Sequence, residues 1–144
     1  MNPKYIPEKL RQRITESSNH RCGYCLSEQK YSIDKFEIEH IVPQALGGTS
    51  DESNLWLSCG GCNKHKWMKV SGIDPDSGEN VPLFNPRTQL WTEHFRWDET
   101  GVFIIGQTAV GRATVVVLHL NNELAVRVRG HWVRAGWHPP VDTI

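Results

Sequence analysis

The four cysteines of this 144-residue chain fall as two pairs, Cys22-Gly-Tyr-Cys25 and Cys59-Gly-Gly-Cys62, and this spacing constrains the fold more than any other feature. Each Cys-x-x-Cys turn offers two thiolates with the bite for one tetrahedral zinc ion, and no cysteine is left over. A closed structural site of Cys22, Cys25, Cys59 and Cys62 is therefore expected. Two disulfides are the competing use of the same residues, and thiol redox chemistry is a third. The 33 residues between the pairs, 26–58, exceed what a minimal zinc knuckle requires, so they are expected to fold as an insert that carries the chemistry.

No apolar run approaches the ~20 residues of a membrane span. Met1-Asn2-Pro3-Lys4 leads into a charged segment rather than a signal peptide. A cytoplasmic protein with reduced thiols available to metal is expected. The formal net charge is zero, so total charge makes no general case for nucleic acid. Its distribution is uneven: residues 1–30 carry six Lys or Arg against three acids, and 59–69 carry Lys64, Lys66 and Lys69 with no acid. A neutral chain of this kind can still present a basic face.

Pro7 followed by Leu10 and Ile14 predicts a helix over 7–17, with proline in the first turn and one apolar stripe. Phe36-Glu37-Ile38-Glu39-His40-Ile41 alternates as a strand, and Leu55-Trp56-Leu57 reads as its partner across a loop holding Gly47-Gly48. Residues 59–70 read as a turn into a short helix. The Pro and Gly density of 71–86 predicts a loop or linker. Beyond it, 90–97 and 102–106 read as strands joined through Asp98-Glu99-Thr100-Gly101. Residues 113–120 are rich in β-branched types, but the spacing of Val116, Leu120, Leu124, Val128 and Trp132 favours two helices over 111–120 and 122–135.

From Glu39 to Lys66 the chain resembles the HNH endonuclease family, whose ββα-metal fold carries an acid-His pair on the first strand, an Asn in the loop or second strand, and a His or Asn on the helix. Glu39-His40, Asn54 and Asn63 fill those positions, and Asn63-Lys64-His65-Lys66 follows Cys62 directly. Glu stands where Asp is commoner, and Asn stands for the last His. The resemblance covers about residues 22–66. It implies an α+β chain: a ββα-metal HNH core over 20–70 stapled by a four-cysteine zinc site, with a C-terminal β-hairpin and helical extension over 71–144. The whole, 1–144, is expected to be a single domain. Cleavage of DNA leaving 5′-phosphate and 3′-hydroxyl ends is implied as well.

The residue chemistry points the same way. Glu39 offers a carboxylate oxygen and Asn63 an amide oxygen, a hard pair suited to Mg²⁺ or Mn²⁺. With one carboxylate, a single-metal mechanism is the natural one. His40 is the candidate general base, because imidazole titrates near working pH. Asn54 is assigned to orienting the loop or His40. Adjacent strand residues point to opposite faces, so Glu39 and His40 enter one pocket only with help from a bulge or the turn at Pro43.

Candidate substrate contacts are Lys66, one helical turn beyond Asn63, and His65, Arg87 and His94. For Arg87 and His94, packing around a hairpin anchored by Trp91, Phe95 and Trp97 is the stronger reading. Trp56 and Trp67 are expected in the core around the zinc rather than as base-stacking platforms. Arg112, Arg127, Arg129 and Arg134 are expected to widen a DNA-binding face. The competing function is a zinc-stabilised nucleic-acid-binding module that does not cut. One active site cuts one strand, so a double-strand break requires a homodimer or successive nicks.

Overall fold

The computed structural model describes residues 5–144. The chain divides into two compact units. One runs up to Val70 and includes Asn85–Thr88, and the other comprises Ser71–Phe84 and Gln89–Ile144.

The first unit begins with α1, Glu8–Ser17. Pro7 caps it, Glu8 complements its dipole, and Ile14 is fully buried with Ile6 and Leu55, while Leu10 and Ile38 pack on that cluster. The chain then makes the first cysteine turn, closed by Cys22 N–H to Ser27 O at 2.9 Å and Leu26 N–H to Cys22 O at 3.0 Å. Strands β1, Glu37–His40, and β2, Leu55–Ser58, pair antiparallel with Glu39 opposite Trp56 and His40 opposite Leu55. Cys59 caps the following helix α2, Gly60–Lys66, its Sγ accepting from Cys62 N–H at 3.4 Å. The ββα order lies where the sequence places it.

The second unit corrects part of the sequence reading. Residues 71–86 are not a plain loop: β3, Ser71–Ile73, and β4, Asn80–Pro82, form a hairpin. Its turn is built on buried Asp74, which accepts from Asp76 N–H, Ser77 N–H and Ser77 Oγ and takes a two-point contact from Arg112 at 2.8 and 3.1 Å. Turn residues that score as linker are here the hairpin itself. The Arg112 guanidinium and the Ser77 hydroxyl hold the Asp74 carboxyl well below its usual range.

The expected strand over 90–97 opens instead with a single helical turn, α3, Trp91–His94, before β5, Phe95–Trp97, which pairs with β6, Ile104–Gly106. Phe84, Phe95, Trp91 and Trp97 interlock with ring centroids 5.1–5.3 Å apart. Two helices follow, α4, Ala109–Val117, and α5, Glu123–Arg134, capped by Thr108 and Asn122. Tertiary packing overrides the β-branched content of Val115-Val116-Val117. The predicted apolar stripe is displaced, since Leu118 and Leu120 are buried but Val116 and Leu124 are exposed. Gly111 is obligatory, because a Cβ there would lie 2.0 Å from the His94 carbonyl oxygen. No helix among the described residues is long and apolar enough to cross a membrane.

Candidate active site

The four cysteine sulfurs lie within 4.8 Å of one another, with Cys25 and Cys59 Sγ 3.7 Å apart. A tetrahedral zinc with bonds of about 2.3 Å sets its sulfurs about 3.8 Å apart, whereas a disulfide needs about 2.05 Å. The cluster can bind zinc, and all four thiols are free of disulfides. Hydrogen bonding to Cys22 and Cys25 pushes the Cys59 and Cys62 thiols up, so four thiolates share this space only around a cation. Among the described residues no other group of three or more His, Cys, Asp or Glu side chains is placed to hold a metal.

Strand alternation separates the acid from the histidine. Glu39 is buried, accepts from the Tyr24 hydroxyl, and lies 3.6 Å from Lys66 Nζ. Burial raises the Glu39 carboxyl, against the opposing pull of Lys66 and Tyr24. Burial and the Glu39 charge raise the Tyr24 phenol, which keeps its proton to donate. Lys66 is 1% exposed, and its ammonium also donates to Ile41 O at 2.8 Å and His40 O at 3.4 Å. The side chain expected to reach a phosphate is thus held inside, gripping the end of β1. Replacing one member of a buried ion pair leaves an uncompensated charge. Lys66→Met is expected to cost about 3–5 kcal/mol in urea unfolding at neutral pH, less at acid pH where Glu39 takes up a proton, and less in the Lys66→Met/Glu39→Gln double variant. A wild-type midpoint in the single variant would show the pair contributes nothing.

His40 is half-buried, its Nε2 2.9 Å from Ser50 Oγ. Burial, then the Lys66 ammonium, hold its imidazole below the usual value of 6.5. Asn54 clamps the loop beyond it: Oδ1 accepts from Val42 N–H at 2.8 Å, and Nδ2 donates to Val42 O at 3.0 Å and Thr49 O at 2.7 Å. Gly48 is required in that loop, as a Cβ would sit 1.7 Å from Val42 O.

The Asn63 amide meets Glu37, which leaves β1 on the same face as Glu39, two residues on. In kind, the oxygens of Glu37, Glu39 and Asn63 fit a hard divalent cation, with Glu39 reaching it only in competition with Lys66. Sequence reasoning passed over Tyr24, Glu37 and Ser50. Strand alternation was a signal for Glu37, but nothing local marks the other two.

His65 is half-buried on α2. Arg87 donates to Leu55 O at 3.2 and 3.1 Å and lies over the Trp56 ring at 5.0 Å, bracing β2. His94 belongs to the second unit, with Nδ1 2.7 Å from Thr108 Oγ1 and its ring against Phe84. In that unit Arg129 is also buried, donating to Val102 O and Leu120 O, so the four late arginines do not form one exposed face. Trp67 is not core: it is 69% exposed. With φ 48° and ψ −119°, and Lys69 N–H donating to Lys66 O at 2.9 Å, it holds the first central position of a type II′ turn, which glycine normally fills. Such strain costs about 1–3 kcal/mol.

Residues 22–67 match the model of the HNH endonuclease family. The matched segment spans both cysteine turns, the β1–β2 hairpin and α2. Among curated proteins, the Septu protein PtuB of Bacillus thuringiensis is 28% identical over 110 residues, covering 75% of this chain and 39% of its own length. A retron Vc95 protein of Vibrio cholerae, whose name carries an HNH endonuclease assignment, is 26% identical over 101 residues, covering 67% of this chain and 46% of its own. The chain thus spans less than half the length of these relatives. No solved structure matches it.

Proposed function

We propose that the chain is a metal-dependent endonuclease that hydrolyses DNA phosphodiester bonds, with His40 as general base. The observation that carries this reading is an accessible imidazole at the end of β1, hydrogen-bonded to Ser50, beside a loop that Asn54 clamps and within an HNH-matching segment. Neutral His40 takes the proton from the water that attacks phosphorus. The Ser50 hydroxyl, donating to Nε2 in that tautomer, orients the ring until the water displaces it. Glu39 and Asn63 are the residues to hold a Mg²⁺ or Mn²⁺ ion, with Glu37 beside them. Bound there, the ion supplies stabilisation of charge on the phosphate and the leaving 3′ oxygen. Exposed Lys64 and Lys69 and half-buried His65 take over the phosphate contacts that internal Lys66 does not make. The cysteine cluster holds structural zinc.

The test is conversion of supercoiled plasmid by purified protein with Mg²⁺, with Mn²⁺ and without metal. Divalent-dependent nicking is expected. A second reading, a zinc-built binding module without cleavage, draws on the Lys66–Glu39 ion pair, which occupies the acid a metal would need. Salt-sensitive DNA binding with no nicking under either ion would select it.

A further inference from the structure

We propose that Trp67 is a base-stacking residue, a platform for an unpaired nucleobase of the DNA substrate; this rests on the nuclease reading. Two observations on the residue itself converge on it. Trp67 stands where the type II′ turn of residues 66–69 calls for glycine, and the largest aromatic side chain retains that backbone conformation. The strain is not repaid by burial, because the indole is 69% exposed. A strained, exposed aromatic is a candidate for contact with a partner.

The position is also built. Trp67 N–H donates to Asn63 O at 2.9 Å, and the residue before it grips the carbonyls of His40 and Ile41. The indole is thereby tied to the residues that carry the proposed chemistry. Exposed Lys64 and Lys69 flank it, supplying the cationic neighbours that a phosphate backbone follows. An anionic chain bearing flat π faces is the partner that fits an indole between lysines, and stacking is tolerant of base identity because every base has such a face. Bases inside a duplex already stack on their neighbours. The platform therefore selects a single-stranded, gapped or kinked segment.

The test measures binding of a labelled single-stranded oligonucleotide and its duplex by the whole chain carrying His40→Ala, alone and with Trp67→Ala, Trp67→Phe or Trp67→Gly. Trp67→Ala and Trp67→Gly are each expected to weaken single-strand binding on the order of tenfold, with a smaller change on duplex, while Trp67→Phe keeps most of the affinity. Trp67→Gly is also expected to melt at a higher temperature than its parent, because it relieves the turn, so weaker binding there cannot be ascribed to misfolding. Indole fluorescence of the parent should be quenched by the oligonucleotide, and less so in Trp67→Phe. Single-strand affinity unchanged in Trp67→Ala overturns the stacking role and leaves the nuclease reading standing. A parent that binds no DNA of either form overturns both.

Discussion

His40→Ala is expected to abolish plasmid nicking while leaving the circular dichroism and the urea midpoint close to those of the parent. A positioned general base contributes about 10²–10⁴-fold to a rate, so its removal carries cleavage below detection in an ordinary plasmid assay. The fold should tolerate the change because the imidazole is half-buried and lies against the Ser50 hydroxyl rather than within the Ile6, Ile14, Leu55 cluster. The same group sets the pH profile. Burial and the Lys66 ammonium both disfavour the imidazolium, so His40 is the free base at neutral pH and takes up a proton only below its usual 6.5. The acid limb of kcat/KM should therefore lie below pH 6.5, and a divalent cation nearby pushes it the same way. A His40→Ala protein that nicks at the parent rate would remove His40 from the reaction.

Stripping metal from the cysteine cluster is expected to unfold the first unit outright. Structural zinc sites contribute apparent binding free energies of about 10–16 kcal/mol at neutral pH, comparable to or above the total stability of an ordinary domain. The cluster joins the turn before β1 to the start of α2, so losing it releases both supports of the β1–β2 hairpin. Without a cation the Cys59 and Cys62 thiols are pushed up and stay protonated, so protons compete with metal and the holo form gains stability as pH rises. Cys59→Ser should act as the chelator does. The measurements are metal content per chain, thiol labelling and thermal melting before and after chelation. About one zinc per chain with protected thiols is expected. A metal-free protein with an unchanged melt would rule out a structural role, and adding back Mg²⁺ alone separates loss of the proposed catalytic ion from loss of the fold.

Much of the site was legible in the chain because its signals are local. The Cys-x-x-Cys spacing, the alternation around Glu39-His40 and the shift to helical spacing after Cys62 placed the two strands, α2 and the cysteine cluster within a few residues of their observed bounds. The extension was harder to read for a physical reason. Asp74-Pro75-Asp76-Ser77-Gly78 has linker composition, and it becomes a hairpin because Arg112, 38 residues away, neutralises a buried carboxylate. Leu124 and Val116 kept helical spacing yet stayed in solvent, since periodicity identifies a stripe without saying what covers it.

By itself, the sequence determined the chemistry available: four thiolates for one metal, a histidine beside an acid on a strand, an asparagine in the loop and another on the helix. Only the tertiary structure decided which of these groups meet. Period-two alternation parts Glu39 from His40, and on the face that Glu37 and Glu39 share, Tyr24 and Lys66 take Glu39 while Asn63 meets Glu37. A lysine buried to 1% exposure cannot be told from a solvated one in a string of letters, because its burial depends on a carboxylate and two carbonyls that the fold brings from 25 or more residues away. The type II′ turn that lifts Trp67 into solvent is likewise invisible beforehand: local propensity calls for glycine there, and the closure of the turn on Lys66 settles the backbone instead.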